Sequence, residues 1–139
     1  MLKGMLYLVN ADKIGKLSGK PFIDCKLVTS DEASLLLDKH DVLLVGIQAV
    51  KALAYIRANN DAPVKVLFEG KLLCRNGISI PRASEAEYFV SAEVATRAGV
   101  LMGRLRKGDS FLEASFQKTA ELHSQQLLTI QSPDLVAVD

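Results

Sequence analysis

The chain has 139 residues, of which 49% are hydrophobic and 24% are charged, as in an ordinary globular protein. This composition excludes an intrinsically disordered chain, a collagen-like repeat and a disulfide-rich scaffold. Seventeen lysine and arginine residues against sixteen aspartate and glutamate residues leave a formal net charge of +1. Binding to nucleic acid or to an anionic membrane therefore requires a local cluster of charge, because the overall balance provides none.

The two cysteines are isolated from each other and from the histidines. Cys25 and Cys74 have neither CxxC spacing nor a nearby histidine, so we predict buried free thiols, no metal site and no cofactor. Residues 1–9 are interrupted by Lys3 and Gly4 and lack a secretory-signal pattern. The longest apolar stretch, residues 42–56, is too short to span a bilayer. We therefore expect a cytoplasmic protein that does not bind membranes.

The N-terminal half shows signals for strands and for two helices. Residues 2–9 and 21–29 are predicted strands, and residues 11–20 form a connection rich in glycine and lysine. Thr29 and Glu32 have the spacing of a capping box, which predicts a helix over residues 30–39. Apolar positions at helical spacing predict a second helix over residues 42–56. The first residues of that helix, VLLVG, also fit a buried strand.

Three short apolar segments follow, at residues 64–68, 72–75 and 78–80. They are separated by Glu69-Gly70 and Asn76-Gly77, and the second pair is a strong hairpin signal because both residues tolerate positive φ. We therefore predict a small antiparallel meander.

The C-terminal half shows helical signals only. Capping-box spacing between Ser84 and Glu87, and again between Ser110 and Glu113, predicts two helices joined by a turn. The expected fold is a single α+β domain. It has a small mixed N-terminal β-sheet with two helices (residues 1–81), a two-helix hairpin (residues 82–131) and a tail (residues 132–139).

Residues 91–107, SAEVATRAGVLMGRLRK, allow two interpretations. In one, they form a helix-turn-helix with Gly99 in the turn, where positive φ is required. In the other, they belong to one uninterrupted helix with a buried stripe at four- and three-residue spacing. That stripe would consist of Ala86, Val90, Val94, Ala98, Leu101 and Leu105. The backbone conformation at Gly99 distinguishes the two.

The run VATRAGVLMGRL resembles the DNA-reading segment of tetracycline-repressor-like and similar bacterial regulators. The resemblance implies that Met102, Gly103, Arg104 and Arg106 face the groove of DNA. Residues 94–108 also contain four basic residues and no acidic residue, so a cluster of positive charge is available for phosphates. The predicted nucleic-acid-binding residues are Arg97, Met102, Arg104, Arg106 and Lys107.

The last predicted helix carries an apolar stripe with nearly heptad spacing, and Phe111, Leu122 and Leu128 lie off the stripe. Two arrangements explain this excess of apolar surface: packing against the preceding helix, or a homodimer. The predicted dimer-interface residues are Leu112, Phe116, His123, Leu127 and Ile130.

We therefore expect a cytoplasmic, non-catalytic DNA- or RNA-binding regulator that acts as a homodimer. Catalysis is not expected, because nothing in the sequence brings His40 or His123 to either cysteine. A protein-interaction or assembly module without a nucleic-acid ligand is the first alternative. A small enzyme is the second.

Overall fold

The computed structural model describes residues 2–17, 20–30, 37–69, 72–75, 78–81, 86–106 and 111–130. These residues form an α+β fold, which confirms the predicted class. The strands are β1 (Leu2–Leu17), β2 (Lys20–Ser30), β3 (Leu37–Val45), β4 (Val64–Phe68), β5 (Leu72–Arg75), β6 (Ile78–Pro81) and β7 (Ala86–Phe89). The helices are α1 (Ile47–Ala58), α2 (Ala92–Arg106) and α3 (Phe111–Thr129).

The described strands form one mixed sheet in the order β5-β6-β3-β2-β1-β4-β7. Neighbouring strands are antiparallel except for β3 and β6, which are parallel. The predicted meander is confirmed for β5 and β6, which pair with each other. It is wrong for β4, which pairs with β1 and β7 because the chain crosses the sheet through α1 before β4 begins.

The first two strands extend much further than the sequence indicates. Residues 11–17 continue β1, and the pairing with β2 reaches Leu17 opposite Lys20. The predicted connection at residues 11–20 is therefore wrong for most of its length. Irregular registers between Leu8 and Asn10, and between Asn10 and Gly15, accommodate the extra residues of β1. Backbone pairing with β2 outweighs the poor strand propensity of the glycine and lysine residues.

The predicted helix over residues 30–39 is wrong at both of its ends. Ser30 belongs to β2, residues 37–39 belong to β3, and Ser30 pairs directly with Leu37. Residues 31–36 lie outside the described residues. A capping box stabilises a helix by only about 1 kcal/mol, whereas pairing β2 with β3 satisfies a long backbone ladder and buries apolar side chains. The described N-terminal part consequently has one helix, α1, where two were expected.

Helix α1 begins after a change of backbone direction at Gly46. This glycine has φ 62°, in the left-handed region, and separates β3 from the first helical residue, Ile47. The alternative of a strand at VLLVG is therefore confirmed for residues 42–45. At the other end, Asn60 and Asp61 also have positive φ and lead the chain into β4.

Alternation along the strands gives the sheet a buried face, here called the core face, which packs against α1 and part of α3. Lys51 and Tyr55 of α1 contact β7 on this face. The opposite face is called the outer face. The buried side chains of the core face are Leu6, Leu8, Ile23, Cys25, Leu27, Val42, Leu44, Val64, Val66, Phe68, Ala86 and Tyr88.

A strand occupies the position where the helix after Ser84 was predicted. Residues 86–89 form β7 and alternate between buried and exposed side chains. Helix α2 begins at Ala92, and the Ser91 hydroxyl accepts a hydrogen bond from the Val94 N–H at 3.2 Å. The helix start is thus about two turns later than predicted, at a different N-cap serine, because Glu87 is used in pairing with β4.

The predicted packing of a helical hairpin is also wrong. Helix α2 packs against α1 through Val94 and Ala98, and α3 packs against β1. The described residues of α2 and α3 make no extensive contact with each other. Phe116 and Ala120 of α3 belong to the same core as the sheet. Each helix therefore covers an apolar surface of the N-terminal part.

Candidate nucleic-acid interface

Helix α2 continues without interruption from Ala92 to Arg106, so the helix-turn-helix interpretation is wrong. Among the described glycines, Gly46 alone has positive φ, and Gly99 is therefore helical. Val94 and Ala98 are buried and Leu101 packs beside them, which is the buried stripe of a continuous helix. A short recognition helix that could enter the major groove separately does not exist in this segment.

Two basic residues of α2 lie on its solvent side. Arg97 and Arg104 are exposed, whereas Met102 is half-buried. The backbone of Arg106 closes the helix, but its side chain lies outside the described part, and so does all of Lys107. The structure thus brings two of the five predicted binding residues to one exposed surface. Glu93, which is also exposed, lies one turn before Arg97 and places a negative charge at the N-terminal end of this surface.

Two glycines share this exposed side of α2. A Cβ atom built on Gly99 or on Gly103 would meet no heavy atom within 4 Å. Val100, between them, is 64% exposed. Neither glycine therefore provides a close contact between α2 and another described element.

The predicted dimer interface lies mostly inside the chain's own core. Phe116, His123 and Leu127 are buried, and Ile130 is half-buried. The side chain of Leu112 lies outside the described part. Among the side chains of α3 that the structure describes, the exposed large apolar ones are Leu122 and Leu128, the second of which is 86% exposed.

His123 is held by two backbone groups. Its Nδ1 accepts a hydrogen bond from the Leu8 N–H at 2.9 Å, and its Nε2 lies 2.7 Å from the carbonyl oxygen of Asp61. The first contact requires an unprotonated Nδ1, so Nε2 carries the proton and donates it to Asp61. Burial lowers the pKa of His123, against a smaller opposing effect of Asp61. The imidazole is consequently neutral and structural at neutral pH.

An ion pair next to this histidine joins α1 to α3. Arg57 Nε lies 2.7 Å from a carboxylate oxygen of Asp61, and the guanidinium stands 4.4 Å from the ring centroid of Phe116. Asp61 therefore orders both the end of α1 and the His123 ring. Arg57 and Asp61 were not predicted to have a role, because the residues of α3 that they contact, Phe116 and His123, are more than fifty positions away in the sequence.

The core face also has a cluster of polar side chains that was not predicted from the sequence, formed by Lys51, Tyr55 and Tyr88. Lys51 Nζ donates to the carbonyl oxygen of Ala86 at 2.8 Å, and Tyr55 and Tyr88 are stacked with ring centroids 4.4 Å apart. Burial lowers the pKa of Lys51 and raises that of Tyr88. Burial also raises the pKa of the Cys25 thiol, so this thiol stays protonated and unreactive at neutral pH. The contacts of these side chains are those of a packed core.

On the outer face, two lysines surround an exposed aromatic ring. Lys3 Nζ is 4.9 Å and Lys65 Nζ 5.8 Å from the ring centroid of Phe89. Phe89 is 40% exposed, and Met5 on β1, which is separated from β7 by β4, is also exposed. The alternation of side chains in β4 and β7 predicts that Lys65 and Phe89 each lie on the exposed side of their strand. That the two are neighbours depends on the pairing of β4 with β7, which the sequence does not reveal.

No group of three or more potential metal ligands occurs in the part of the chain that the structure describes. Among the same residues, no helix has an apolar stretch long enough to cross a membrane. Comparison of the chain with protein-family models, curated proteins and solved structures found no match. The assignment of function therefore depends on the geometry alone.

Proposed function

We propose that the protein is a non-catalytic nucleic-acid-binding protein that contacts phosphates through the exposed side of α2. The observation that carries this proposal is the exposure of Arg97 and Arg104 on one side of a continuous helix. Seven residues of helix separate them by about 10 Å along the axis. This distance corresponds to about three phosphates of one strand, which advance by about 3.4 Å each.

The form of the helix indicates what kind of recognition to expect. A continuous helix with Arg97 and Arg104 on one side can lie along the sugar-phosphate backbone. The groove-facing arrangement that the helix-turn-helix interpretation implied for Met102, Arg104 and Arg106 does not apply to a helix without a turn. Phosphate contacts position a protein without reading the sequence. We therefore expect binding of low sequence specificity and strong salt dependence. Arg106 and Lys107, which follow in the sequence, extend the same positive segment.

Fluorescence anisotropy with a labelled mixed-sequence duplex tests the proposal. Arg97→Gln and Arg104→Gln should each weaken binding and reduce the salt slope by about 1, because each removes one phosphate contact. Lys118→Gln is the matched control, since Lys118 is an exposed cation on α3. Absence of wild-type binding at about 50 mM salt, or equal effects of all three variants, would contradict the α2 site.

Self-association is a second part of this proposal, and its surface differs from the predicted one. Leu122 and Leu128 are exposed, whereas Leu127 is buried and its replacement would disturb the core. A dimer should therefore depend on Leu122 and Leu128. Light scattering at about 100 μM should give the mass of a dimer for the wild type and of a monomer for Leu122→Gln/Leu128→Gln. A monomeric wild type would contradict it.

A further inference from the structure

The outer face of the sheet carries an exposed cluster that the α2 site does not use. We call it the outer patch; it consists of Lys3 and Met5 on β1, Lys65 on β4 and Phe89 on β7. Met5 is paired with Lys65, and Lys65 with Phe89, so three neighbouring strands place these side chains in one row. Lys3, two residues before Met5, reaches the same ring diagonally.

The ring of Phe89 is exposed instead of packed in the core. Its 40% exposure leaves much of its surface open to solvent, with an ammonium group at 4.9 Å and another at 5.8 Å from its centroid. A Phe side chain at an edge strand is ordinarily buried or replaced by a charged residue, because exposed apolar edges promote aggregation. Phe89 lies between two cations, so this surface suits a ligand that has a flat apolar part and also carries negative charge.

The two ammonium groups are not paired with carboxylates among the described residues. The ion pairs found there are Lys26 with Asp41 and Arg57 with Asp61. Glu87 is the nearest acid in register, two positions before Phe89 on β7, and it also is exposed. The surface around Phe89 thus carries two cations, Lys3 and Lys65, and one anion, Glu87, which lies beside the outer patch. Both ammonium groups lie near the aromatic ring instead of pairing with the Glu87 carboxylate.

We propose that the outer patch binds unpaired nucleotides, with a base stacked on Phe89 and flanking phosphates held by Lys3 and Lys65. This inference rests on the proposed nucleic-acid function and adds the form of the ligand, a single strand. Aromatic side chains exposed on a sheet next to cations bind bases by stacking, which tolerates any sequence. A base within a duplex has both faces covered by its neighbours. Duplex binding should therefore use α2 and leave the outer patch free.

A tryptophan at position 89 gives a direct test, because the chain contains no tryptophan. The fluorescence of Phe89→Trp should be quenched on titration with a twelve-residue oligothymidylate, and it should not change with a duplex. Ile78→Trp is the matched control, because Ile78 is an exposed apolar residue on β6, away from both the outer patch and α2, and it should not be quenched by the single strand. Equal quenching at both positions, or none at position 89, would overturn the proposal.

Loss-of-function variants separate this site from the α2 site. Phe89→Leu should weaken oligothymidylate binding by about tenfold or more and leave duplex binding unchanged. Lys3→Gln/Lys65→Gln should reduce the salt slope for the single strand. Ile78→Ala and Lys118→Gln serve as controls for lost apolar and charged side chains, since both residues are exposed and lie outside the two proposed sites. Thermal unfolding of each variant confirms that it is folded.

The outcomes distinguish the two proposals. Single-strand binding that survives Phe89→Leu but is lost on Arg97→Gln/Arg104→Gln overturns the outer patch and supports the α2 site. Competition by polyglutamate as effective as by oligothymidylate also overturns it, because the patch would then recognise charge alone. A wild-type protein that binds neither single strand nor duplex at about 50 mM salt overturns both.

Discussion

The imidazole of His123 accepts a hydrogen bond from the backbone N–H of Leu8, 115 residues away, at 2.9 Å. The β1–β4 ladder ends at the pair of Leu6 and Val64, so the Leu8 N–H lies just past the last paired residue. His123 supplies the acceptor that β4 no longer provides. Through Nε2 it also binds the carbonyl oxygen of Asp61, so one side chain joins β1, the end of α1 and α3.

We predict that this contact makes the stability depend on pH. The pKa of His123 in the folded protein is below its ordinary value of 6.5, chiefly because of burial. The unfolded chain therefore binds a proton more readily, and the free energy of unfolding should be constant above about pH 7 and fall as the pH drops below 6.5. Urea unfolding between pH 7.5 and 5 measures this slope.

Two variants serve as comparisons for the pH series. His123→Leu should lose about 1–3 kcal/mol at pH 7.5, because the Leu8 N–H is left unpaired, and should show a flatter slope. Gln125→Ala, at an exposed and non-titrating position of the same helix, should retain the wild-type slope. A wild-type slope in His123→Leu would mean that other groups cause the acid sensitivity.

Gly4→Ala is predicted to be strongly destabilising. A Cβ atom at this position would clash with the carbonyl oxygen of Val28 and lie 2.8 Å from its carbonyl carbon, both of them backbone atoms of β2. Since β1 and β2 are central strands, neither can move away without disturbing the sheet. We expect a loss of several kcal/mol, on the order of 3, measured by urea unfolding. A loss below about 0.5 kcal/mol would show that the strands separate easily.

Gly99→Ala and Gly103→Ala should have the opposite effect. Both glycines are helical and exposed, and an added Cβ atom meets nothing. Each substitution should stabilise the protein by up to about 1 kcal/mol, because alanine has less backbone entropy to lose than glycine. Thermal unfolding of the two single variants and the double variant tests this. Destabilisation by both would indicate that this side of α2 is covered in solution.

Tyr88→Phe should leave stability unchanged or increase it. The Tyr88 hydroxyl is buried and has no hydrogen-bond partner within the described part of the chain, while its ring stacks on Tyr55. Removing an unsatisfied hydroxyl while keeping the ring removes a desolvation cost of up to about 1–3 kcal/mol. Tyr55→Phe is the comparison and should be nearly neutral. A loss above 1 kcal/mol for Tyr88→Phe would reveal a bound water or another partner at this hydroxyl.

The sequence by itself determined the features that depend on neighbouring residues. The helical stripe of Val94 and Ala98, the short strands β4, β5 and β6, and the buried state of Cys25 follow from local periodicity and hydrophobicity. These features are encoded within a few turns or a few alternations of the chain. The α+β class follows from them without any knowledge of how the elements meet.

The tertiary structure decided the rest. Capping-box signals at Thr29 and Ser84 are worth about 1 kcal/mol each and were overridden by strand pairing in β2, β3 and β7. The partners of α2 and α3, the contact between His123 and Leu8, and the meeting of Lys3 and Lys65 at Phe89 all join distant segments. Their physical basis is strand register and shared burial, which depend on the whole chain and leave no mark in a short stretch of sequence.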